Sequence, residues 1–217
     1  MPSRGLTGVW AAVDFCLLVS GLILIIFSQL WAGKHLMNNF IISKMSLRAG
    51  LALGIMFEIT FFVSVFAVTQ RRPLTSGFKI LNWALIADSA ACIIIGSIMW
   101  VQTLQERAHY EKVWIASAVE VRTQLQDKFT CCGWFNGTNI AIGGTVCHDN
   151  ATAAALPGCV TPIIPKINVV VDNIFTTIYG FIAITLTLFL ASLCLINRRE
   201  EERFRRIDEK RGGRGFV

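Results

Sequence analysis

Apolar side chains along this chain of 217 residues gather into four blocks, each with few charges. Val9 to Trp31 is interrupted only by Asp14, and Ala49 to Thr69 carries Glu58. Gly77 to Trp100 carries Lys79 near one end and Asp88 inside, while Ile174 to Ile196 has no charge at all. A hydrocarbon core of about 30 Å takes roughly 20 mainly apolar residues at helical rise, so each block predicts one spanning helix. The expected organisation is a terminal segment 1–8, span one 9–31, a loop 32–48, span two 49–69, a turn 70–76, span three 77–100, a loop 101–173, span four 174–196 and a tail 197–217. The tight turn over 70–76, with Pro73 in it, makes spans two and three antiparallel neighbours. The fold class this predicts is all-α, a four-helix transmembrane bundle with a small and mainly helical loop domain.

The long loop has a pattern of its own. Helical character continues past Val101, and Tyr110, Trp114, Ala118, Val121 and Leu125 recur at spacings of three and four, which predicts one apolar stripe packed inside the loop domain. Between Gly133 and Gly158, glycines and small polar residues predict irregular backbone. Pro165 suits a first helical turn, so a second helix is expected to start there and run through Ile167, Val170 and Val171 into span four.

Composition agrees with a membrane class: the chain is 54% hydrophobic and 16% charged, with mean hydropathy +0.58. The first block is longer than the apolar core of a secretory signal and only Arg4 precedes it, so it is expected to be an uncleaved helix. Charge then sets the expected orientation. Arg4, Arg71, Arg72 and the tail residues Arg198, Arg199, Arg203, Arg205, Arg206, Lys210, Arg211 and Arg214 share one side if both termini are cytoplasmic. The net charge of +6 comes largely from that tail and suits an anionic inner leaflet, with no nucleic acid as partner. The Arg211-Gly212-Gly213-Arg214-Gly215 run reads as flexible linker.

Cysteine placement adds chemistry. Cys131, Cys132, Cys147 and Cys159 all fall in the long loop, on the side expected to be oxidising, and read as two disulfides. Adjacent cysteines are poorly placed to bridge to each other, which leaves two pairings open. The two-residue spacing of a metal knuckle is missing, so no metal or cofactor is expected. Asn136-Gly137-Thr138 and Asn150-Ala151-Thr152 are acceptors for N-glycosylation in that same loop, at Asn136 and Asn150.

The run Cys131-Cys132-Gly133, with Cys147 and Pro157-Gly158-Cys159 after it and four spans around it, resembles the tetraspanin signature over nearly the whole chain. The small size and plain architecture look more like fungal members than animal ones. The resemblance implies the pairing Cys131 to Cys159 and Cys132 to Cys147, and an organiser that gathers other membrane proteins. Pro157-Gly158-Cys159 is one residue shorter than the usual final motif. Span four, with Thr176, Thr177, Tyr179, Thr185 and Thr187 as its polar side chains, lacks the acidic group with which many relatives line a lipid cavity, so no sterol role is carried over. The family is commonly palmitoylated near the inner leaflet, which points to Cys194 and to Cys16; Cys92 lies deeper and reads as packing.

Ionisable groups at bilayer depth are costly and normally face protein. Glu58 and Asp88 lie at similar depth in adjacent spans and are expected to meet; Asp14 and Asn82 form a second expected pair. Interhelical adhesion is the preferred reading of these four residues, with a small channel or a proton or cation transporter as the alternative. Nothing in the sequence has the pattern of a catalytic site. The expected function is therefore a non-enzymatic scaffold in the plasma or endosomal membrane, whose partners are other integral membrane proteins, membrane lipids and a second copy of itself. Trp134 and Phe135 are the expected exposed anchors for a partner.

Overall fold

The computed structural model describes residues 4–33, 40–70, 75–135 and 144–211, and among these every regular element is helical, with no strand. In chain order the elements are α1 (Arg4–Trp31), α2 (Lys44–Thr69), α3 (Ser76–Leu104), α4 (Glu106–Ala116), α5 (Val119–Phe129), α6 (Asn150–Ala155) and α7 (Val160–Lys210). The helices α1, α2, α3 and α7 are long and apolar enough to cross a membrane. The chain divides into two units, one of residues 1–29, 48–94 and 178–217 and the other of residues 30–47 and 95–177.

The first unit is the bundle, and most of its buried positions follow one spacing. Among them are Trp10, Asp14 and Leu17 on α1; Leu53, Phe57, Thr60, Ser64 and Ala67 on α2; Phe78, Leu81, Leu85, Asp88 and Cys92 on α3; Phe181, Thr185, Leu188, Ser192 and Leu195 on α7. Alternating steps of three and four keep one narrow stripe per helix facing the others. The buried acids, threonines and serines lie on that stripe, while Phe62, Trp83, Ile94 and Leu190 point outward and are exposed. Helices with an apolar exterior and the polar groups turned inward suit a hydrocarbon surrounding, in which a hydroxyl or carboxyl has to find its partner within the protein.

Close backbone approach holds the α1–α2 crossing. A Cβ on Gly54 would lie 3.0 Å from the Gly21 carbonyl oxygen, and one on Gly21 would lie 3.1 Å from that of Gly54, so a side chain at either position would press the helices apart by a few tenths of an ångström. At the other end of α2, the Arg199 guanidinium lies 3.5 Å and 3.4 Å from the carbonyls of Ala67 and Val68 and stacks 4.5 Å from the centre of the Phe78 ring. A cation at the C-terminal end of a helix satisfies carbonyls that have no further turn to accept from, and favours the negative end of its dipole.

Helix boundaries depart from the sequence expectation at several places. α7 begins at Val160 and not at Pro165, and it runs without interruption past residue 196 to Lys210. Pro162 falls in the first turn, where its missing N–H costs nothing. The later Pro165 gives up one bond inside a helix that the flanking turns maintain. Beyond the apolar block, Glu201 with Arg205 and Glu202 with Arg206 stand four residues apart in the favourable order, which supports continued helix in water. The helical stretch that continues past Val101, a stalk of the loop unit, is also interrupted: Gln105 separates α3 from α4, and Ser117 and Ala118, with ψ of 146° and 152°, separate α4 from α5. That second break resets the helical phase. Tyr110, Trp114 and Leu125 of the expected stripe are buried, Val121 is half-buried and Ala118 is exposed.

Candidate functional sites in the loop unit and the bundle

The Cys-Cys-Gly run sits where α5 stops. Thr130 closes that helix in a left-handed conformation, with φ 48° and ψ 52°, and Gly133 then takes φ 70°. Two reversals within four residues turn the chain back beneath the helix, and glycine adopts the second without the steric cost that a side chain brings. Cys131 is bonded to Cys159 and Cys132 to Cys147. Between them the backbone is laced: the Cys132 amide donates to the Pro157 carbonyl (3.1 Å), the Cys159 amide to Gly133 (2.9 Å) and the Val160 amide to Trp134 (3.0 Å). Gly158 is required here because a Cβ would overlap the Phe135 carbonyl. The Pro-Gly-Cys motif thus lies alongside the Cys-Cys-Gly motif, and the second disulfide carries α6 with it, packing Ala153, Val146 and Leu156 around Cys132 and Cys147.

Aromatic packing fills the rest of this unit. Trp134 is fully buried, with its ring 5.5 Å from Trp114 and 6.2 Å from Phe40, and Phe40 in turn lies 5.9 Å from Tyr110. The expectation that Trp134 is an exposed anchor is therefore corrected: the turn at Gly133 aims it inward, into space that the α4 aromatics and Phe40 enclose. Its neighbour Phe135 stays 38% exposed. The Tyr110 hydroxyl donates to the Ile41 carbonyl at 3.0 Å. Burial first, and the nearby Glu106 carboxylate second, push its pKa up to about 12. Phe40, Ile41 and Ile42 are core residues that the sequence reading left in the short loop. Three successive apolar residues in a supposed loop were the signal that could have found them.

Two carboxylates organise the segment between the disulfides. Asp127 on α5 accepts from the Val146 amide at 2.9 Å, and that bond above all, with help from Thr145, holds its carboxyl below the usual range. Asp149 caps α6 by accepting from the Thr152 amide at 2.6 Å, and the Thr152 hydroxyl and amide together lower its pKa. Asn150 is the first residue of α6, and Asn136 lies outside the described residues.

In the bundle, neither expected polar pair forms. The polar neighbour of Asp14 is Ser64 on α2, and that of Asp88 is Thr60, also on α2. Asn82 is bonded to the Ser192 hydroxyl of α7, and the Ser89 and Thr185 hydroxyls meet at 2.9 Å. Glu58 points toward α1, with a carboxyl oxygen packed over Gly21. Depth alone suggested Glu58 with Asp88, but Thr60 is two residues on from Glu58, about 200° around the helix, and it is Thr60 that faces α3. The sequence reading missed Ser64, Thr60, Ser89 and Ser192 because a hydroxyl inside an apolar block does not interrupt its hydropathy. Cys16 and Cys194 are free and exposed, and Cys92 is free and buried.

Fold and sites together define a class: an α-helical chain, compatible with a multi-pass membrane protein, with a disulfide-bonded unit built from its connecting segments. No family model, curated protein or solved structure matches this chain.

Proposed function

We propose that this chain is a tetraspanin-like membrane scaffold, a non-enzymatic protein that binds and laterally organises other integral membrane proteins. The observation that carries the reading is the arrangement around Cys131-Cys132-Gly133: adjacent cysteines bridged to Cys159 and Cys147 hold a short helix and an irregular segment against a helical stalk. Disulfides persist in an oxidising compartment, which supports an extracellular or endosome-lumenal side for this unit. The arginine-rich end of α7 and the N-terminus then lie in the cytoplasm. In that orientation the sequons at Asn136 and Asn150 fall on the side where N-glycosylation takes place. Cys194 and Cys16, both exposed, are the acylation sites.

The bundle favours adhesion over ion passage. Asn82 with Ser192 and Ser89 with Thr185 join α3 to α7 by side-chain hydrogen bonds, as groups that hold helices together do. Partner binding is assigned to the surface of the segment between Gly133 and Gly158, where Phe135 is exposed. The test is affinity purification of the tagged protein from its native membrane in mild detergent, followed by mass spectrometry, beside a version with the Gly133–Gly158 segment replaced. Specific partners lost with the segment support the scaffold. No reproducible partner, together with ion flux in liposomes, overturns it.

A further inference from the structure

The sequon Asn150-Ala151-Thr152 coincides with a helix. α6 covers Asn150–Ala155, and Asp149 caps it: the carboxylate accepts from the Thr152 amide at 2.6 Å, and the Thr152 hydroxyl stands beside it as well. The Ala153 amide donates to the Asp149 carbonyl at 3.1 Å and closes the first turn. Positions 150 and 152 are therefore about 200° apart around the helix axis and about 3 Å apart along it, against about 6.6 Å on an extended chain. Residues two apart on a helix do not face one way. An enzyme that takes an asparagine amide and the hydroxyl two residues on into one cleft cannot read them from this turn.

Six residues are too few to hold a helix in water by themselves. What holds α6 is its surroundings: Ala153 is buried and packs with Val146 and Leu156 around the Cys132–Cys147 bridge. Until that bridge closes, the sequon belongs to open chain. Chain order makes the two events compete. Cys132 and Cys147 both precede Asn150, so this bridge has its two thiols before the sequon is made, whereas Cys159 of the other bridge comes after it.

We infer that Asn150 is a glycosylation site open only before the Cys132–Cys147 bridge and α6 form, so that folding of the loop unit competes with its modification and leaves a share of molecules bare there. The inference rests on the reading that gives this unit an extracellular or lumenal side. The co-substrate is an oligosaccharide joined to a lipid through a diphosphate. The Asn150 amide nitrogen bonds to the anomeric carbon of the first sugar, and the bond from that carbon to the diphosphate oxygen breaks. The diphosphate leaves with the bonding pair, and the amide gives up one proton to a base of the transferring enzyme. The competing step is thiol–disulfide exchange, in which the two thiols of the chain pass two electrons and two protons to a disulfide of the same compartment, which becomes a dithiol.

The test expresses the full-length protein in cells that carry out N-glycosylation and reads each sequon separately, by mass spectrometry of peptides after an amidase has converted glycosylated Asn to Asp. In wild type Asn150 is expected to be partly modified. Cys132→Ser removes the bridge, and a pulse of dithiothreitol during synthesis of the wild type delays it without changing the sequence. Each should lower the bare fraction several-fold. Asp149→Ala keeps both cysteines and loosens only the cap; loss of a cap shifts a helix equilibrium about fivefold, which sets the upper limit of its effect. Full modification of Asn150 in wild type, or a bare fraction that neither Cys132→Ser nor the reductant lowers, overturns the inference. If Asn136 is modified while Asn150 is bare under every condition, the orientation stands and this inference falls. If both are bare, protease added outside sealed microsomes decides: a protected loop unit overturns this inference alone, and a cleaved one overturns the orientation with it.

Discussion

Two tryptophans set the two units of this molecule against each other. Trp134 of the disulfide-bonded unit is fully buried among aromatic rings, whereas Trp83 of α3 is 74% exposed. In the loop unit the interior is mainly apolar and cross-linked, with Gln126 buried against Cys147, and the charges of α4 and α5 lie outside or half-buried. In the bundle the polar side chains Asp14, Thr60, Ser64, Asp88, Thr185 and Ser192 share the interior with Phe57, Phe78 and Phe181, while Phe62, Trp83, Ile94 and Leu190 stay outside. The difference reflects the surrounding medium: water rewards burial of apolar surface, and hydrocarbon is indifferent to it but penalises an unpaired polar group. Each unit therefore has a different weak point.

The sharpest way to test this contrast is to truncate both tryptophans. Trp134→Ala is expected to cost about 3–5 kcal/mol, as removal of a large buried aromatic does. Trp83→Ala, which empties no interior space, should stay within about 0.5 kcal/mol. Thermal unfolding in lipid nanodiscs, followed by near-ultraviolet circular dichroism, measures both. Comparable losses would show that the exposed face of α3 is covered by protein and not by lipid.

Next comes the cross-link. Cys132→Ser removes the bridge to Cys147, which closes a loop with a sequence separation of 15, and should destabilise the loop unit by about 2–4 kcal/mol. The segment from Gly144 to Leu156 is then expected to become open to protease while helical content falls little. Native protease protection in that variant would mean that the packing of Ala153, Val146 and Leu156 suffices without the bond.

For the bundle the corresponding weak point is a hydrogen bond. Ser192→Ala leaves Asn82 without its partner on α7, and the expected loss is about 1 kcal/mol, in the range measured for polar contacts between membrane helices. Ser192→Thr keeps the hydroxyl and should restore most of it. An equal loss in both variants would assign the effect to packing volume.

The four spans and the clustering of cysteines were legible in the sequence because both are patterns of residue type. Apolar blocks show as runs, and Cys131, Cys132, Cys147 and Cys159 crowd into one connection. What stayed hidden depends on direction. Asp88 could be placed at the depth of Glu58, yet rotation about α2 decides that Thr60 faces it. Trp134 looked like an anchor until the positive φ at Gly133 turned it inward. The core role of Phe40 and Ile41 arises from contacts with Tyr110 and Trp134, distant in sequence, which no local window contains.

The smallest expected effect separates the two units by pH. Asp127 lies outside the spans, and its carboxylate is favoured chiefly by the Val146 amide, so its folded pKa is below the ordinary aspartate value. A depressed pKa means that the carboxylate adds stability above the unfolded value, and that this contribution is lost as pH falls toward and through the folded value. Near neutral pH the bond to Val146 is fully in place. Below about pH 4, in the range where unfolded carboxyls take up protons, the attachment of the Gly144–Cys147 segment to α5 should weaken. Asp127→Asn keeps an acceptor oxygen but does not titrate. The difference in loop-unit stability between wild type and Asp127→Asn, measured by limited proteolysis at pH 7 and at pH 3.5, should therefore shrink on acidification. A difference that stays constant across that range would mean that the shape of the side chain, and not its charge, holds the segment.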